Sequence, residues 1–517
     1  MIAAPRIGHG TADLAPSYDV VVVGLGVTGA GAALDAASRG LRVLAVDAHD
    51  LAFGTSRWSS KLVHGGLRYL AHGQVGVAHE SAVERGVLME TTAPHLTRPL
   101  PMLMPLTSGV SPAQAALARG GFVAGDLLRR GARTSRETLP RPRRVSATEA
   151  LALAPGLRRA GLRGGLLSWD GQLEDDARLV TAIARTAAAH GAEVRTRARV
   201  VATDGTSVTL RDGLTGEVIR VGARGVVNAT GVWAGDLVDG LVLRPSRGTH
   251  AVLRAGAFPA LRTAVTAPVP GSSSRFVLVL PQPDDTVYVG LTDEPVDGPV
   301  PDVPQPTEPE IGFLLDVVSA AFDHDLRRDH VVGAYAGLRP LLDAGDRATA
   351  DLSRRHAVVT SATGVVSVVG GKLTTYRRMA EDAVDRLVAE RRLDAGPCRT
   401  RALPLTGAAP RTELARVEAP SRLVRRFGTE APAVVEVARA VTRLPDGELL
   451  APVAAGVHVT LAELVFGATH EGAVDVDDLL DRRTRVGLVP EDRASAVPAA
   501  ERALALAAGS TPISGHR

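Results

Sequence analysis

The chain has a single cysteine, Cys398, among its 517 residues. One cysteine excludes an intramolecular disulfide framework and a metal site built from several cysteines, and it suits a reducing cytoplasm. A surplus of charge is missing as well, because 59 Lys and Arg stand against 56 Asp and Glu, a formal net charge of +3. So small an excess gives no reason to expect a nucleic-acid partner.

Lysine is nearly absent. Arginine stands at almost every cationic position, and lysine occurs only at Lys61 and Lys372. An ammonium group is a compact point charge on a flexible stem, whereas a guanidinium is a planar fork. The two lysines are therefore predicted to occupy sites whose geometry or proton chemistry does not suit a guanidinium.

Long uninterrupted apolar runs are also missing. The most apolar stretches, residues 20–34 and 357–371, are broken by glycines in strand-like patterns, so they do not predict membrane spans. No signal-peptide pattern and no zinc or calcium spacing is visible, so neither secretion nor a metal site is predicted. With 45% hydrophobic and 22% charged residues the composition is that of an ordinary soluble globular protein. A chain of 517 residues is too long for one core, which predicts two or three domains.

Residues 19–48 follow the order of a dinucleotide-binding unit. A β-branched apolar run, typical of a strand buried on both faces of a parallel sheet, leads into Gly24, Gly26 and Gly29 in the spacing G-x-G-x-x-G. A helix of small residues and a second strand at residues 42–46 follow. The first glycine permits the turn, the second lets a pyrophosphate approach the backbone, and the third lets helix and strand pack closely. The helix N-terminus adds partial positive charge for the phosphates.

Asp47 ends the second strand, 23 residues after Gly24, where a carboxylate can accept hydrogen bonds from an adenosine ribose. A carboxylate there disfavours the 2′-phosphate of NADP. The chain then returns to the sheet three times, through strands predicted at residues 193–197, 225–231 and 364–369, the last two ending in glycine turns. Helices are predicted over residues 176–190, 311–322 and 374–391.

This order of glycine-ended strands resembles the FAD-binding fold of the D-amino-acid oxidase superfamily, in which the intervening segments form a second, substrate-facing sheet. Three motifs narrow the resemblance: GTSRWSSKLVHGGLRYL at residues 54–70, GLRPL at 337–341 and GGKLTTYR at 370–377. Together they closely resemble the FAD-dependent glycerol-3-phosphate dehydrogenases, and VDDLLDRRTRVGL at 476–488 is similar to that family's helical C-terminal domain. The chain departs from the pattern at Arg57-Trp58, where many relatives carry small residues.

The resemblance implies an α/β fold with a Rossmann-like FAD-binding domain of D-amino-acid oxidase type, a β-sheet substrate or cap domain, and an all-α C-terminal domain. A homodimer is expected. The predicted boundaries are a tail over residues 1–17, a discontinuous FAD-binding domain over about 18–95, 170–243 and 335–398, a cap over about 96–169 and 244–334, and a helical domain over 399–517.

The implied reaction is oxidation of sn-glycerol 3-phosphate to dihydroxyacetone phosphate. A hydride passes from C2 to N5 of non-covalently bound FAD, and a membrane quinone takes the electrons, in glycerol and glycerophospholipid metabolism. Three alternatives stay open. A glycerol-3-phosphate oxidase would pass electrons to dioxygen, an amine or amino-acid oxidase would need a carboxylate clamp and no dianion site, and an inactive flavin-binding scaffold would do no chemistry.

A small phosphorylated alcohol needs cations for its dianion and a base near its C2 hydroxyl. Arg68 and Arg339 offer planar donor pairs and stand among glycines and apolar residues, where an unpaired charge is costly. By resemblance His250 matches a pocket histidine suited to general base catalysis, with a structural role as its alternative. The predicted catalytic groups are Arg339, His250 and Lys372, and the predicted substrate contacts are Arg68, Tyr69, Arg339, Arg354 and Lys372.

Gly370 and Gly371 end a strand and begin a helix, so backbone N–H groups and the helix dipole are expected to point at the flavin N1 and C2 carbonyl. Negative charge develops there on reduction, and Lys372 would add a compact cation. Lys61, in the other flavin loop, is explained in the same way. The residues predicted to contact FAD are Gly24, Gly26, Gly29, Asp47, Thr55, Ser56, Ser60, Lys61, Leu62, His64, Gly65, Gly66, Ala229, Gly231, Gly371, Leu373 and Thr374.

One segment predicts peripheral contact with an anionic lipid surface. Residues 112–145 combine apolar side chains with eight arginines against two acidic residues, Asp126 and Glu137. A basic amphipathic surface can lie on an anionic headgroup layer, and the alternative is a solvated helix packed on its own domain. The expected location is the cytoplasm, with peripheral contact at the cytoplasmic face of the inner membrane as an option. The apolar side chains include Phe122, Val123, Leu127 and Leu128.

Overall fold

Two large β-sheets and a C-terminal group of helices form residues 6–66, 74–272, 275–342 and 356–509, the parts of the chain that the structure describes. The structure is a computed structural model. Arg68, Tyr69 and Arg354, all predicted to bind the substrate, lie outside the described residues.

The first sheet has nine strands and is built around Ser17–Val23. This strand pairs in parallel with Val43–Val46 on one side and with Val218–Asn228 on the other. Its four consecutive valines are all buried, which confirms a strand covered on both faces. The nine strands are Gly8–His9, Ser17–Val23, Val43–Val46, Glu193–Thr196, Ala198–Thr203, Ser207–Asp212, Val218–Asn228, Ala357–Thr360 and Val366–Val369.

The helix Val27–Ser38 packs on this sheet against two others, Asp176–Ala189 and Tyr376–Arg391. The Asp175 carboxylate caps the second helix by accepting hydrogen bonds from two backbone N–H groups of its first turn. All three returns of the chain to the first sheet are confirmed, although the second of these strands begins at residue 218 and not at 225. The helices predicted at residues 176–190 and 374–391 are confirmed within two residues.

The second sheet has ten strands, and its longest pairing joins Leu243–Arg254 to Val331–Leu342 over their full length. The predicted boundary at residue 335 therefore cuts through a strand of the second sheet. Apolar alternation indicates a strand but does not say which sheet it joins. The ten strands are Leu62–Val63, Thr97–Pro105, Arg143–Val145, Gly165–Leu173, Leu243–Arg254, Ala264–Pro268, Phe276–Pro281, Thr286–Gly290, Glu294–Pro295 and Val331–Leu342.

The helix Glu308–Ala321 packs on the second sheet and begins three residues before the predicted start at residue 311. Thr307 and Glu310 form a capping box there, so the helix starts at the cap and not at the first apolar residue. The helix Pro112–Gly131 has the same kind of start, with Ser111 and Gln114. The other α-helices that the structure describes before residue 400 are Val75–Val87, Ala147–Leu153 and the short Ala234–Leu237.

The C-terminal domain, residues 411–509, has its own apolar core. It is mostly helical as predicted, but it also contains a two-stranded hairpin, Pro452–Ala454 with Val457–Thr460. Its helices are Arg411–Leu414, Ser421–Phe427, Ala431–Thr442, Asp446–Leu449, Leu461–His470 and Pro490–Gly509. Across the described ranges, no helix is both long enough and apolar enough to cross a bilayer.

Candidate active site

A cavity of about 2450 Å³ is lined by residues of both sheets. The glycine-rich turn after Ser17–Val23 lines one part of its wall, and strands Leu243–Arg254 and Val331–Leu342 line another. A pocket for one drug-sized ligand measures about 300–1,000 Å³. The cavity therefore has room for a dinucleotide together with a second molecule.

The glycine-rich turn requires its glycines. Gly24 has φ +95°, and a Cβ added there would lie 2.7 Å from the carbonyl oxygen of Ala229. A Cβ on Gly29 would lie 1.8 Å from the carbonyl oxygen of Gly24, so helix and strand can approach only without a side chain. The hydroxyl of Ser56 accepts a hydrogen bond of 2.9 Å from the backbone N–H of Val27. The turn therefore presents the N-terminus of the helix Val27–Ser38 to the cavity.

Asp47 lies in the cavity wall beside this turn. Its carboxylate accepts hydrogen bonds from the backbone N–H groups of Leu25, at 2.7 Å, and His49, at 2.9 Å. Burial nevertheless raises the pKa of Asp47 to about 6, because these two bonds do not offset the loss of water. A ligand hydroxyl that donates to this carboxylate would favour its ionised form.

The motif that begins at Gly54 ties the two sheets together. The Thr55 hydroxyl donates to the carbonyl oxygen of Leu338 at 2.6 Å, and the Tyr335 hydroxyl donates to the carbonyl oxygen of Ser59 at 2.9 Å. The Ser60 hydroxyl lies 2.8 Å from Nε2 of His250. The loop is therefore held by hydrogen bonds to the second sheet on its cavity side.

Lys61 lies behind this wall, and the expectation that its cation faces the cofactor does not hold. The side chain is 1% exposed, with Nζ 3.1 Å from the Asp176 carboxylate. Nζ also donates to the carbonyl oxygen of Arg57 at 2.7 Å and lies 4.7 Å from the centre of the Tyr335 ring. Burial lowers the pKa of Lys61, although Asp176 acts in the opposite direction. The sequence motif predicted the loop that carries Lys61 but not the direction of its side chain. That direction depends on Asp176, which is 115 residues away in sequence.

Gly65 is also set back from the cavity surface, and His64 beside it faces the cavity. The Asp170 carboxylate receives the Arg85 guanidinium at 2.6 Å and the Gly65 backbone N–H at 3.2 Å, and His64 Nδ1 lies 3.4 Å away. Burial alone would raise the pKa of Asp170, but Arg85 and His64 hold it below its usual range. The backbone N–H of His64 donates to the Thr374 hydroxyl at 3.0 Å. This bond joins the loop to the segment that follows the glycine turn at Gly370 and Gly371.

Two predicted site residues, His250 and Arg339, share one face of the second sheet with their cross-strand partners. Ser246 pairs with Arg339 and His250 pairs with Tyr335 across two antiparallel strands. Residues four apart on a strand point to the same side, so all four side chains share the sheet face on which His250 and Arg339 line the cavity.

Glycines leave room between these pairs. Gly248 and Gly337 lie opposite each other, midway between the two polar pairs. A Cβ on Gly248 would lie 2.4 Å from Nη2 of Arg339, and one on Gly337 would lie 2.8 Å from the carbonyl oxygen of Trp58. The glycine pair therefore lets the guanidinium and the Trp58 loop lie across the strands.

Arg339 is held firmly in the cavity wall. Its Nη1 donates to the Asp293 carboxylate at 2.8 Å and to the Ser246 hydroxyl at 3.1 Å, and its Nη2 donates to the Thr292 carbonyl oxygen at 3.0 Å. These bonds fix the plane of the guanidinium before any ligand is present. Asp293 gives the cation a half-buried counter-charge, which the sequence analysis did not predict.

His250 is 1% exposed and stacks on Tyr335 with 4.7 Å between ring centres. Burial lowers its pKa to about 3, and the nearby cations Lys61 and Arg339 act in the same direction. The imidazole is therefore neutral at physiological pH. A Cβ on Gly290 would lie 2.2 Å from the ring, so this glycine makes room for it.

Lys372 lines the cavity. It follows Gly370 and Gly371, whose φ values of +76° and +71° are in the left-handed region that favours glycine. Its Nζ donates to the Ser81 hydroxyl at 3.1 Å. The glycine turn thus places an ammonium group in the cavity wall at the start of the helical segment that leads into Tyr376–Arg391.

The structure brings most of the predicted residues to one cavity. Gly29, Lys61 and Gly65 lie behind its surface. The predicted residues that line it are Gly24, Gly26, Asp47, Thr55, Ser56, Ser60, Leu62, His64, Gly66, Ala229, Gly231, His250, Arg339, Gly371, Lys372, Leu373 and Thr374.

Trp58, which the sequence marked only as a departure, also lines the cavity. Its ring lies 5.9 Å from that of Tyr335, and the Arg57 guanidinium lies 4.2 Å from its centre. Its indole N–H is buried with no hydrogen-bond acceptor in the described part of the chain.

Comparison with known proteins decides what the cavity holds. A family model described as "FAD dependent oxidoreductase" matches residues 19–377, and one described as "C-terminal domain of alpha-glycerophosphate oxidase" matches residues 398–513. Glycerol-3-phosphate dehydrogenase 1 of Mycobacterium tuberculosis is 54% identical over 492 residues, 94% of each chain. The chain belongs to the FAD-dependent glycerol-3-phosphate dehydrogenase family.

Two further comparisons support this family assignment. Aerobic glycerol-3-phosphate dehydrogenase of Staphylococcus aureus is 34% identical over 407 residues, 75% of this chain and 71% of that one. The crystal structure of the glycerol-3-phosphate dehydrogenase from Bacillus halodurans complexed with FAD matches with a TM-score of 0.71 and 26% identity, covering 95% of this chain and 91% of that one. The predicted fold class, a D-amino-acid oxidase type FAD-binding fold with a helical C-terminal domain, is confirmed.

The cavity fits FAD, the cofactor of this family. The side-chain-free turn at Gly24 and Gly26 and the helix N-terminus beyond it suit a pyrophosphate. Asp47 suits the ribose, and the turn at Gly371 and Lys372 suits the part of a flavin that gains negative charge on reduction. In the described part of the chain, no cluster of His, Cys, Asp and Glu could hold a metal ion.

Proposed function

We propose that this member of the family oxidises sn-glycerol 3-phosphate to dihydroxyacetone phosphate, with FAD held without a covalent bond and a membrane quinone as the final acceptor. The observation that carries the proposal is the convergence of Arg339, Lys372 and His250 on the cavity that suits FAD. Two cations suit a phosphate dianion, and a neutral imidazole suits removal of a hydroxyl proton. An amino-acid substrate would require no such dianion site.

Arg339 and Lys372 supply the positive charge in this proposal. The Arg339 guanidinium is already oriented by Asp293 and Thr292, so little orientation remains to be achieved when the substrate binds. Lys372 is a point charge on a flexible stem and can adjust between the flavin and the phosphate. FAD, when bound, supplies the chemistry of accepting a hydride from an alcohol carbon.

His250 is the proposed proton acceptor. Its ring is neutral, and Ser60 lies within hydrogen-bond distance of Nε2 on the cavity wall. The serine hydroxyl can therefore pass a proton from the C2 hydroxyl of the substrate to the ring. Burial, together with the charges of Lys61 and Arg339, holds the pKa of the imidazole at about 3, so the ring is a weak base before substrate binds. A bound phosphate dianion would counter the two charges and raise this pKa.

Anaerobic titration with sn-glycerol 3-phosphate tests the proposal. We expect the flavin absorbance to bleach, and glycerol without a phosphate should bleach it far more slowly. An inactive scaffold would show no bleaching with either compound, and an amino-acid oxidase would respond to amino acids and not to the phosphate ester.

The identity of the final electron acceptor requires a separate test. After reduction, we expect a soluble quinone analogue to restore the oxidised spectrum much faster than air-saturated buffer does, with little peroxide formed. Stoichiometric peroxide during aerobic turnover would instead assign the alternative, a glycerol-3-phosphate oxidase.

A surface next to the cavity supports the membrane part of the proposal. On the helix Pro112–Gly131, Leu117, Val123 and Leu127 are exposed, at 72%, 55% and 59%. Exposed arginines accompany them, including Arg119 and Arg130. Several residues of the same helix line the cavity, so a lipid-bound quinone would approach near its edge.

Flotation with anionic vesicles tests this surface. Arg129 is unsuitable for substitution because it is buried, with Nε 2.8 Å from Asp126. We expect a variant with Ser at Arg119, Arg130 and Arg133 to float less well than the parent at low salt, since each exposed cation contributes about 1 kcal/mol near an anionic surface. Equal flotation of the two proteins would exclude this face.

A further inference from the structure

Buried ion pairs join the C-terminal domain to the first-sheet region. Several such connections among the described residues have both partners almost fully buried. They include Arg178 with Glu471, Arg185 with Glu430, Arg426 with Asp175, and Arg482 and Arg483 with Asp50.

The connection at Asp50 is the most extensive. The Arg483 guanidinium binds both oxygens of this carboxylate, at 2.7 and 2.8 Å, and Nε of Arg482 adds a third bond at 2.7 Å. Asp50 is 0% exposed. Both arginines belong to one helical turn, Asp478–Arg483, so one element of the C-terminal domain saturates the carboxylate.

Asp50 belongs to the loop between Val43–Val46 and the motif at Gly54, and this loop lines the cavity on both sides of Asp50. Its neighbours Asp47 and His49 line the cavity before it, and Phe53 and Gly54 line it after. The Asp50 side chain points away from the cavity, toward the C-terminal domain.

The backbone of this loop needs support. Ala52 has φ +57°, a conformation that disfavours any residue with a Cβ. Its N–H donates to the carbonyl oxygen of Leu25 at 3.0 Å, and the Leu25 N–H donates to the Asp47 carboxylate at 2.7 Å. The backbone N–H of Phe53 donates to the carbonyl oxygen of Asp50 at 3.3 Å. A movement of Asp50 would therefore pass to the glycine-rich turn and to Asp47.

A second connection reaches the same loop from the same helical turn. The Arg197 guanidinium binds Asp475 at 2.7 Å and Asp478 at 2.8 Å, and its backbone N–H donates to the carbonyl oxygen of His49 at 2.9 Å. Asp478 also pairs with Arg482. The helical turn thus holds the loop directly at Asp50, and through Arg197 at His49.

We propose that Arg482 and Arg483 of the C-terminal domain are positioning residues for FAD, acting through Asp50 on the loop that forms the cavity wall from Asp47 to Gly54. The C-terminal domain contributes to cofactor retention in this way without touching the cofactor. The inference rests on FAD as the cofactor and not on the substrate, so its test does not depend on the proposed reaction.

The test compares two identical substitutions. Arg483→Lys keeps the charge and loses the two-point contact with Asp50. Arg185→Lys does the same to the pair with Glu430, which is nearly as buried and has Nη2 2.8 Å from the carboxylate. That pair does not belong to the cavity wall. The rate of FAD release from each holoenzyme is measured by the recovery of flavin fluorescence on dilution, and unfolding is measured with excess FAD present.

We expect Arg483→Lys to release FAD at least about tenfold faster than the parent, and Arg185→Lys to release it at the parental rate. Both should unfold at similarly lowered temperatures. At saturating FAD, kcat/KM of Arg483→Lys should return close to the parental value. Equal release rates for the two variants, whether raised or unchanged, would overturn the proposal.

If Arg483→Lys does not accumulate as folded protein, Arg482→Lys replaces it. This variant loses one of the three bonds to Asp50. The same comparison then applies. FAD release faster than from Arg185→Lys would support the positioning role, and equal release rates would contradict it.

Discussion

Lys61 and Lys372 each belong to a glycine-bearing loop of the same cavity, but they differ in exposure, side-chain direction and partners. Lys61 is 1% exposed, faces away from the cavity and pairs with Asp176 at 3.1 Å. Lys372 is half-buried in the cavity wall and donates to the Ser81 hydroxyl at 3.1 Å. One lysine stabilises the wall from behind, and the other adds charge to its surface.

The comparison shows that a rare residue can be required for two different reasons. Behind the wall, Lys61 fits between a carboxylate, a carbonyl oxygen and the ring of Tyr335, and a larger guanidinium would overpack that space. At the wall, Lys372 is proposed to meet a ligand and to adjust its position. The following predictions separate packing from ligand chemistry.

Replacing Lys61 should have the largest effect on stability. Lys61→Met leaves the Asp176 carboxylate buried without its cation, which typically costs about 3–5 kcal/mol. Ser59 still donates to Asp176 through its hydroxyl and its backbone N–H, so we expect about 3 kcal/mol. Denaturant unfolding with excess FAD measures the loss.

The matched variant Lys372→Met should lose no more than about 1 kcal/mol, since its ammonium is not fully buried. Adding Asp176→Asn to Lys61→Met should restore part of the stability by removing the uncompensated charge. Equal losses for the two lysine variants would erase the distinction between the sites.

Arg339 shares features of both lysines, because it pairs with a carboxylate and also lies in the cavity wall. Arg339→Ala should lower kcat/KM about a hundredfold, equivalent to about 3 kcal/mol of transition-state stabilisation. The visible FAD spectrum should persist. Steady-state kinetics with sn-glycerol 3-phosphate provide the measurement.

Arg247→Ala is the control. Arg247 lies on the same strand as Ser246 and pairs with Glu310, outside the cavity lining. It should keep kcat/KM within about threefold of the parent. A similar fall in both variants would indicate a general disturbance of the second sheet and remove Arg339 from the pocket.

Lys372→Arg should lower the rate of flavin reduction by sn-glycerol 3-phosphate at least about tenfold, or about 1.4 kcal/mol. The charge is kept, but the planar fork cannot occupy the position of the ammonium. Stopped-flow absorbance isolates this half-reaction from the acceptor. Lys61→Arg should show the opposite profile, with lower stability and a smaller kinetic change, and a parental reduction rate in Lys372→Arg would refute the requirement for lysine.

Asp47 extends the comparison from cations to an anion. The effect of its titration on FAD affinity should be the smallest of those predicted here. Its pKa of about 6 lies above the ordinary value because of burial. Ribose hydroxyls that donate to the carboxylate favour the ionised form, so FAD binding lowers this pKa and FAD affinity should fall as the pH drops through about 6. We expect a loss of up to about tenfold between about pH 7 and pH 5.

Fluorescence titration of FAD across this pH range measures the dependence. Asp47→Asn should bind FAD more weakly and with a flatter pH profile. A parental protein whose affinity does not change below pH 6 would mean that Asp47 does not accept a hydrogen bond from the cofactor.

Most of the fold and the outline of the site were predictable from local patterns. The valine run, the glycine spacing and the terminal Asp47 form one short unit whose conformation follows from its own sterics, and the structure has it as predicted. The domain boundary predicted at residue 335 falls inside a strand of the second sheet, because strand pairing is a long-range property that local patterns do not show. The partners of Arg339 escaped notice because Asp293 is remote in sequence and belongs to no motif.

The sequence by itself determined the family, the cofactor unit and the loops that meet at the cavity, since each depends on glycines and apolar runs that act over a few residues. Only the tertiary structure decided which way the two lysines point. Lys61 turns inward because Asp176 and Tyr335, from distant segments, form a buried place for a single ammonium group. A buried charge follows its counter-charge, and the position of that counter-charge is known only when the chain has folded.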